Sequence, residues 1–208
     1  MQLHGTSSFS PLPGTQPRPR GLFVDLWGSL LEPPADGFCK TFAEVEFTPG
    51  AVDALFRASR DGWKIYLIGN EDSVAHGKLP EPTWREIEGE IEDHLAAHGV
   101  RLTRNYTCID DPQDGIEGRQ ADSVYRLPNT GAFYHAYHND GVTLGLSWVL
   151  GDSTVELAAG WRAGCRTAAL ESGVGLSDGT FHVEPAMTGP NLAEALGAIL
   201  RSSHSLLH

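Results

Sequence analysis

A carboxylate follows an apolar stretch near the start of the chain. Residues 21–24 read Gly-Leu-Phe-Val, Asp25 comes next, and a glycine turn begins at Gly28. The apolar run predicts a buried strand of a parallel sheet. Open α/β sheets bind ligands in the crevice outside the carboxyl ends of their strands, so its position makes Asp25 a candidate for a functional site.

Strand and helix patterns alternate along the rest of the chain. Further strands are predicted at 63–68, 101–109, 148–150 and 166–170. Helices are predicted at 49–60, 83–99, 132–138, 155–163 and 191–201. This alternation favours a three-layer α/β fold, in which helices flank a parallel sheet on both faces. Asp152 follows strand 148–150 and is a second strand-end carboxylate.

Length and charge restrict the class of protein. The 208 residues fit one domain at 21–208, preceded by a segment at 1–20, rich in Pro, Ser and Gly, that we interpret as a flexible tail. A net charge of −12 argues against binding to nucleic acid or to a membrane surface. Three separated cysteines, with no secretory signal and no apolar run of ~20 residues, favour a cytoplasmic protein.

Four segments, in order, resemble motifs of the haloacid dehalogenase (HAD) superfamily of aspartate-nucleophile hydrolases. Residues 25–28 read Asp-Leu-Trp-Gly, where the family has Asp-x-Asp-Gly. Residues 69–77 are similar to Thr-Asn-Gln-Ser-Gly-Ile-Ala-Arg-Gly, 126–131 to Arg-Lys-Pro-x-Pro-Gly, and 151–160 to Gly-Asp-x-x-x-Asp-x-x-Ala-Gly. The resemblance, strongest to histidinol-phosphate and heptose bisphosphate phosphatases, spans residues 21–201. It implies a HAD-like, Rossmannoid fold without a large cap domain.

The resemblance also implies roles for individual residues. Asp25 corresponds to the nucleophile that attacks phosphorus, and Asp25 and Asp152 correspond to magnesium ligands. Asn70 and Arg126 are the candidates for substrate binding. Each assignment has a structural alternative: carboxylates held by backbone amides, an amide that stabilises a turn, and a solvated arginine.

Four positions depart from the family pattern. Trp27 replaces an acidic residue that protonates the leaving group and activates water, a contribution typically worth ~10²–10⁴-fold. Leu127 replaces a lysine that stabilises the substrate phosphate. Gly69 replaces a hydroxyl residue, and Glu71 adds negative charge beside the expected anion site. Trp27 is interpreted as a core aromatic, although the family's dehalogenases also carry an aromatic there.

The family's zinc loop is not reproduced. Its four ligand positions are occupied by Cys108, Asp110, Ser123 and Tyr125. A single thiolate does not make a tetrahedral structural site, so no zinc is expected. The polar segment 110–130 must then be held in another way. His135 and His138 lie three residues apart on a predicted helix, which favours a partly exposed helix face over a metal site.

Two functional hypotheses follow. The first, which the four departures favour, is a HAD-like phosphatase fold with degenerate motifs and weak or no activity, which binds a small phosphorylated metabolite or a protein partner. The second is an active magnesium-dependent hydrolase that uses Asp25 on a phosphorylated sugar or small metabolite. A dehalogenase is a distant third. Phosphate release that depends on Asp25 decides between the first two.

Overall fold

A single parallel sheet of six strands forms the centre of the computed structural model, which describes residues 18–205. The strands are β1 (Gly21–Asp25), β2 (Lys64–Ile68), β3 (Leu102–Asn105), β4 (Trp148–Gly151), β5 (Arg166–Leu170) and β6 (Met187–Gly189). Their order in the sheet is β3-β2-β1-β4-β5-β6. The parallel α/β prediction is confirmed, whereas most of the tail expected at 1–20 lies outside the described residues.

Six α-helices within residues 18–205 accompany the sheet. They are α1 (Ala51–Arg60), α2 (Asp72–Ala75), α3 (Glu81–Ala97), α4 (Gly131–Asp140), α5 (Thr154–Arg162) and α6 (Leu192–Ser205). Every strand within 18–205 belongs to the one sheet, so this part of the chain contains no large cap domain built on a second sheet. No helix of the described residues is long and apolar enough to cross a membrane.

Apolar side chains cover both faces of the sheet. Leu22 and Val24 of β1 belong to one core cluster with α1, α3 and α6, and Phe23 belongs to a second cluster with α4 and α5. Because both faces are buried, strand β1 is continuously apolar rather than alternating. The sequence pattern before Asp25 is thus a direct result of the three-layer architecture.

The strand order brings the predicted site residues together. β1 lies between β2 and β4, and Asp25 pairs in register with Ile68 while Val24 pairs with Leu150. The order of connection reverses between β1 and β4, which is where open sheets leave a crevice at the carboxyl ends of their strands. The residues after β1, β2 and β4 therefore meet at one edge of the sheet.

Candidate active site

Three buried carboxylates form a cluster at this edge. Asp25 ends β1, Asp152 follows β4, and Glu156 lies in the first turn of α5. Their exposed fractions are 8%, 4% and 4%, and one oxygen of each lies within 4.8 Å of the others. Among the described residues, no lysine, arginine or histidine forms an ion pair with any of them.

The electrostatics of the cluster follow from burial without a basic partner. Burial raises the pKa of Asp25 well above its usual range, and the charges of Glu156 and Asp152 raise it further. Burial also raises the pKa of Asp152, and it raises that of Glu156 to about 7 despite the hydrogen bonds from Ser153. A buried cluster of three carboxylates is stable only with bound protons or a bound cation. Three carboxylates suit a hard divalent cation such as Mg²⁺.

The Asp152 carboxylate is held by a backbone amide and lies against two glycines. Val174 donates its backbone N–H to Asp152 Oδ2 at 2.7 Å. Gly28 and Gly173 approach so closely that a Cβ on either would overlap the Asp152 carboxylate, and both have positive φ angles, +84° and +59°. The glycine turn after Asp25 and the loop after β5 thus fix this carboxylate jointly.

The Gly173→Ala substitution is expected to destabilise the protein more than Gly179→Ala, which is its matched control. Gly179 lies in the same loop with φ +57°, but a Cβ added there would meet no atom closer than Ser177 O at 4.0 Å. Alanine at 179 therefore costs only backbone strain, about 1–2 kcal/mol. Alanine at 173 adds overpacking against Asp152, roughly 1–3 kcal/mol more. Urea unfolding of the two variants measures the difference, and equal free energies of unfolding would contradict it.

Glu156 is also the cap of helix α5. Ser153 donates both its backbone N–H and its hydroxyl to the Glu156 carboxylate, and the Ser153 Oγ accepts from the backbone N–H of Val155 at 3.2 Å. This is a capping box, which the spacing Ser-x-x-Glu signals in the sequence. Gly151 makes room for it, since a Cβ there would overlap Glu156 Cγ. Sequence reasoning did not select Glu156, although the residue stands at the second acidic position of the family motif.

A cavity of about 270 Å³ opens beside the cluster. Besides the three carboxylates, Trp27, Asn70, Leu127 and Val174 line it. Its walls therefore combine acidic and apolar groups at the crevice where a ligand is expected.

Comparison with known proteins shows which proteins the chain is similar to. No protein-family model matches it. It is 26% identical over 151 residues to the D-glycero-alpha-D-manno-heptose-1,7-bisphosphate 7-phosphatase of Burkholderia mallei, a match that covers 73% of this chain and 79% of that protein. It is 25% identical over 141 residues to the D-glycero-beta-D-manno-heptose-1,7-bisphosphate 7-phosphatase of Pseudomonas putida, covering 68% and 77%.

The fold agrees with the sequence comparison. The crystal structure of D,D-heptose 1,7-bisphosphate phosphatase from B. bronchiseptica, complexed with magnesium and phosphate, superposes with a TM-score of 0.76 at 23% identity, and covers 88% of this chain and 99% of that one. The chain is thus similar, in sequence and in fold, to phosphatases of the HAD superfamily. Its similarity is to the phosphatase branch of that superfamily, as the motifs in the sequence imply.

At position 27 the chain carries a half-buried aromatic residue. Trp27 packs against Trp84, with ring centroids 6.4 Å apart, and donates its indole N–H to Glu71 Oε2 at 2.8 Å. The Glu71 carboxylate also accepts from the hydroxyl and the backbone N–H of Ser73. Burial raises the pKa of Glu71, while the bonds from Ser73 and Trp27 lower it. The Glu71 carboxylate is thus held by Trp27 and Ser73, and Glu71 does not line the cavity beside Asp25.

Two hydrogen bonds join Asn70 and Leu127. The Asn70 amide donates to the Leu127 carbonyl at 3.0 Å, and Leu127 donates its N–H to Asn70 Oδ1 at 2.9 Å. The amide therefore stabilises the loop, as one of the two sequence interpretations expects, and a contact between Asn70 and substrate stays a prediction. The Leu127 side chain is buried among apolar residues and brings no charge to the candidate site.

Arg126 is engaged away from the carboxylate cluster. Its guanidinium donates to Asp72 Oδ1 at 2.9 Å, to the Asp110 carbonyl at 2.9 Å and to Asp111 Oδ2 at 2.7 Å. With 18% of its side chain exposed, Arg126 is not a solvated surface charge, and it does not line the cavity. Its part in binding substrate stays a prediction.

The Arg126 contacts explain how segment 110–130 is held in the folded chain. Asp111 accepts from Arg126 and lies 3.1 Å from His76 Nε2. Desolvation raises the pKa of Asp111, but hydrogen bonds from Gln113, His76 and Asp114, and the charge of Arg126, lower it to about 2. The pair of an ionised Asp111 with Arg126 closes the loop on itself, and the contacts of Asp111 with His76 and of Arg126 with Asp72 tie the loop to the segment around α2.

The four positions of the zinc loop lie around a neighbouring cleft, together with His135. Cys108 donates its thiol to the Asp110 carbonyl at 3.6 Å, and the Tyr125 hydroxyl lies 2.8 Å from His135 Nδ1. His135 is partly buried and His138 is exposed. These contacts are hydrogen bonds between side chains and backbone of the same chain.

Proposed function

We propose that the chain is a magnesium-dependent phosphatase that transfers a phosphoryl group from a phosphorylated sugar or related small metabolite to Asp25 and then to water. The observation that carries this proposal is the buried cluster of Asp25, Asp152 and Glu156, which has no basic partner among the described residues. The enzymatic hypothesis thereby replaces the degenerate one as the leading function. The activities named for the two bacterial relatives, and the magnesium and phosphate of the B. bronchiseptica enzyme, support it.

Each carboxylate has a distinct part in the proposed reaction. Asp25 is the nucleophile: its Oδ atom bonds to phosphorus while the bond from phosphorus to the leaving oxygen breaks. Asp152 and Glu156, with Asp25, would hold Mg²⁺, which when bound neutralises charge on the phosphoryl oxygens. Gly69 leaves the approach open, because even a Cβ there would come within 3.3 Å of Asp25 Oδ1. Water then cleaves phosphoryl-Asp25 and restores the carboxylate.

A second candidate is a non-catalytic protein that uses the same site to bind a phosphorylated ligand or to serve a protein partner. Position 27 favours it. The Trp27 side chain has no titrating group, and its indole N–H is already donated to Glu71. Leu127 supplies no charge and Gly69 no hydroxyl. Binding of a cation and ligand without turnover is the behaviour expected of such a protein.

Phosphate release by the full chain tests the proposal. The substrates are a panel of sugar mono- and bisphosphates, assayed with Mg²⁺ and with EDTA. We expect release that requires Mg²⁺. If titration calorimetry detects Mg²⁺ binding but no compound is hydrolysed, the second candidate replaces the first. If the protein neither binds Mg²⁺ nor releases phosphate, both are contradicted.

A further inference from the structure

Hydrolysis of a sugar phosphate at Asp25 requires two proton transfers. The leaving sugar oxygen must gain a proton as its bond to phosphorus breaks, and the water that cleaves phosphoryl-Asp25 must lose one. A positioned group that moves these protons contributes typically ~10²–10⁴-fold. Trp27 stands where the HAD motif has an acidic residue, but it has no titrating group, and its indole N–H is donated to Glu71. The protons must then be moved by another group that lines the cavity.

Asp72, the first residue of helix α2, lines the same cavity of about 270 Å³ as Asp25. Asp25 is only 8% exposed, whereas 49% of the Asp72 side chain is exposed, so Asp72 lies nearer the mouth of the cavity. In a phosphoryl transfer the attacking and leaving oxygens are roughly in line. The leaving oxygen therefore points away from the buried Asp25, toward the open side on which Asp72 lies.

One carboxylate oxygen of Asp72 is fixed and the other is free. Arg126 Nη1 donates to Asp72 Oδ1 at 2.9 Å, and none of the described residues donates to Asp72 Oδ2. The guanidinium of Arg126 is itself held, because it also donates to the Asp110 carbonyl at 2.9 Å and to Asp111 Oδ2 at 2.7 Å. Arg126 thus orients the Asp72 carboxylate and leaves Oδ2 available for proton transfer.

The other acidic residues that line the cavity have parts of their own in the proposed reaction. Asp25 is the nucleophile, and Asp152 and Glu156 are the cation ligands. Of the described residues that line the cavity, Asp72 is the one further titratable group. The HAD motif that residues 69–77 resemble has serine at this position, so the carboxylate that is absent at Trp27 is matched by an additional one at Asp72.

We infer that Asp72 is the general acid and base of the proposed phosphatase and that Arg126 is its positioning residue. This inference rests on the proposed function. In the first step the Asp25 Oδ–P bond forms, the bond from phosphorus to the sugar oxygen breaks, and that oxygen takes the proton of Asp72. In the second step water bonds to phosphorus, the bond from phosphorus to Asp25 breaks, and Asp72 takes a proton of the water. The carboxyl group is thereby restored for the next turnover.

The Asp72→Asn substitution on the full chain, assayed with Mg²⁺, tests the first step. Asparagine keeps an oxygen for Arg126 but transfers no proton. The probes are the panel of sugar phosphates, glucose 6-phosphate among them, and 4-nitrophenyl phosphate, whose oxygen leaves as a stable phenolate and needs no proton. For the sugar phosphate that the natural chain hydrolyses fastest, we expect kcat to fall by ~10²-fold or more. The first turnover of 4-nitrophenyl phosphate should keep nearly its natural rate.

The second step gives a signature that a merely structural role of Asp72 would not produce. Without a base at position 72, water cleaves phosphoryl-Asp25 slowly, so 4-nitrophenyl phosphate should give a burst of nitrophenolate and then a slow phase. Intact-mass spectrometry after an acid quench should detect a phosphoryl group on the Asp72→Asn protein, and none once Asp25→Asn is added. Asp72→Glu restores an acid, so it should recover at least ~10-fold of the lost rate and remove the burst.

The outcomes separate the inference from the function on which it rests. Asp93→Asn, an exposed change on α3 of equal charge, should behave as the natural chain. Undiminished release by Asp72→Asn, or equal losses with both kinds of probe and no phosphoryl-protein, would overturn the inference and leave the phosphatase function intact. Asp72→Ser, with the serine of the HAD motif, carries the same test if urea unfolding shows that Asp72→Asn does not fold. If the natural chain hydrolyses no probe, function and inference are overturned together.

Discussion

Replacing Asp25 by asparagine is expected to abolish magnesium-dependent phosphate release while making the metal-free protein more stable. The loss of rate should be at least ~10⁴-fold, in the range seen when the nucleophile of a hydrolase is removed. The gain in stability arises because Asp25 is buried beside Glu156 and Asp152, whose charges oppose its ionisation. An amide of the same shape stays buried there without needing a bound proton or cation.

Phosphate release and urea unfolding in EDTA measure the two effects on the same preparations. Asp93→Asn is the matched control, since Asp93 is exposed on α3 and its removal changes the net charge equally. The control should keep full release and lie within ~0.5 kcal/mol of the natural chain. Undiminished release by Asp25→Asn would exclude Asp25 as nucleophile, and a lowered free energy of unfolding would contradict the repulsion in the cluster.

The stabilisation that Mg²⁺ confers should grow as pH rises from 5 to 8. The pKa of Glu156 is about 7 in the folded protein against 4.5 for a free side chain. Between these values the folded state holds a proton that the unfolded state has released, so the free energy of unfolding falls as pH rises. Above pH 7 the raised pKa of Glu156 alone has lowered the free energy of unfolding of the metal-free protein by roughly 3 kcal/mol. Asp25 and Asp152 shift in the same direction.

Magnesium acts in the opposite sense, because carboxylates bind it only after losing their protons. At a concentration of ~100 Kd it adds about 2.7 kcal/mol to the free energy of unfolding. Urea midpoints with Mg²⁺ and with EDTA at pH 5, 6, 7 and 8 measure the difference. Sodium chloride at matched ionic strength controls for general screening of the net negative charge. A difference that is the same at pH 5 and pH 8 would contradict a cation site built from these carboxylates.

The layers of the fold were predictable because their signals are local. Apolar runs gave β1, β2, β4 and β5 to within a residue, and β3 proved shorter than the predicted 101–109. Helix α2 and strand β6 were not predicted, since four and three residues are too few to show a period. Elements this short form because contacts with neighbouring segments of the folded chain fix their backbone conformation.

The residues of the site that follow a strand were predictable from the sequence. Those held by contacts between distant parts of the chain were not. Asp25 and Asp152 were found as strand-end carboxylates. The amide of Val174, which holds Asp152, comes from a loop 22 residues farther on, and its sequence shows no period. The partners of Arg126 likewise depend on how segment 110–130 folds back on α2. Contacts of this kind are properties of the tertiary structure.

The double engagement of Glu156 limits how this part of the sequence can change over evolutionary time. Glutamine at 156 would still cap helix α5 but would remove a charge from the cluster, whereas alanine would weaken both. A lineage that gave up cation chemistry could thus accept glutamine without losing the cap of helix α5. The residue at this position in descendants of a common ancestor is therefore a record of whether the chemistry was kept.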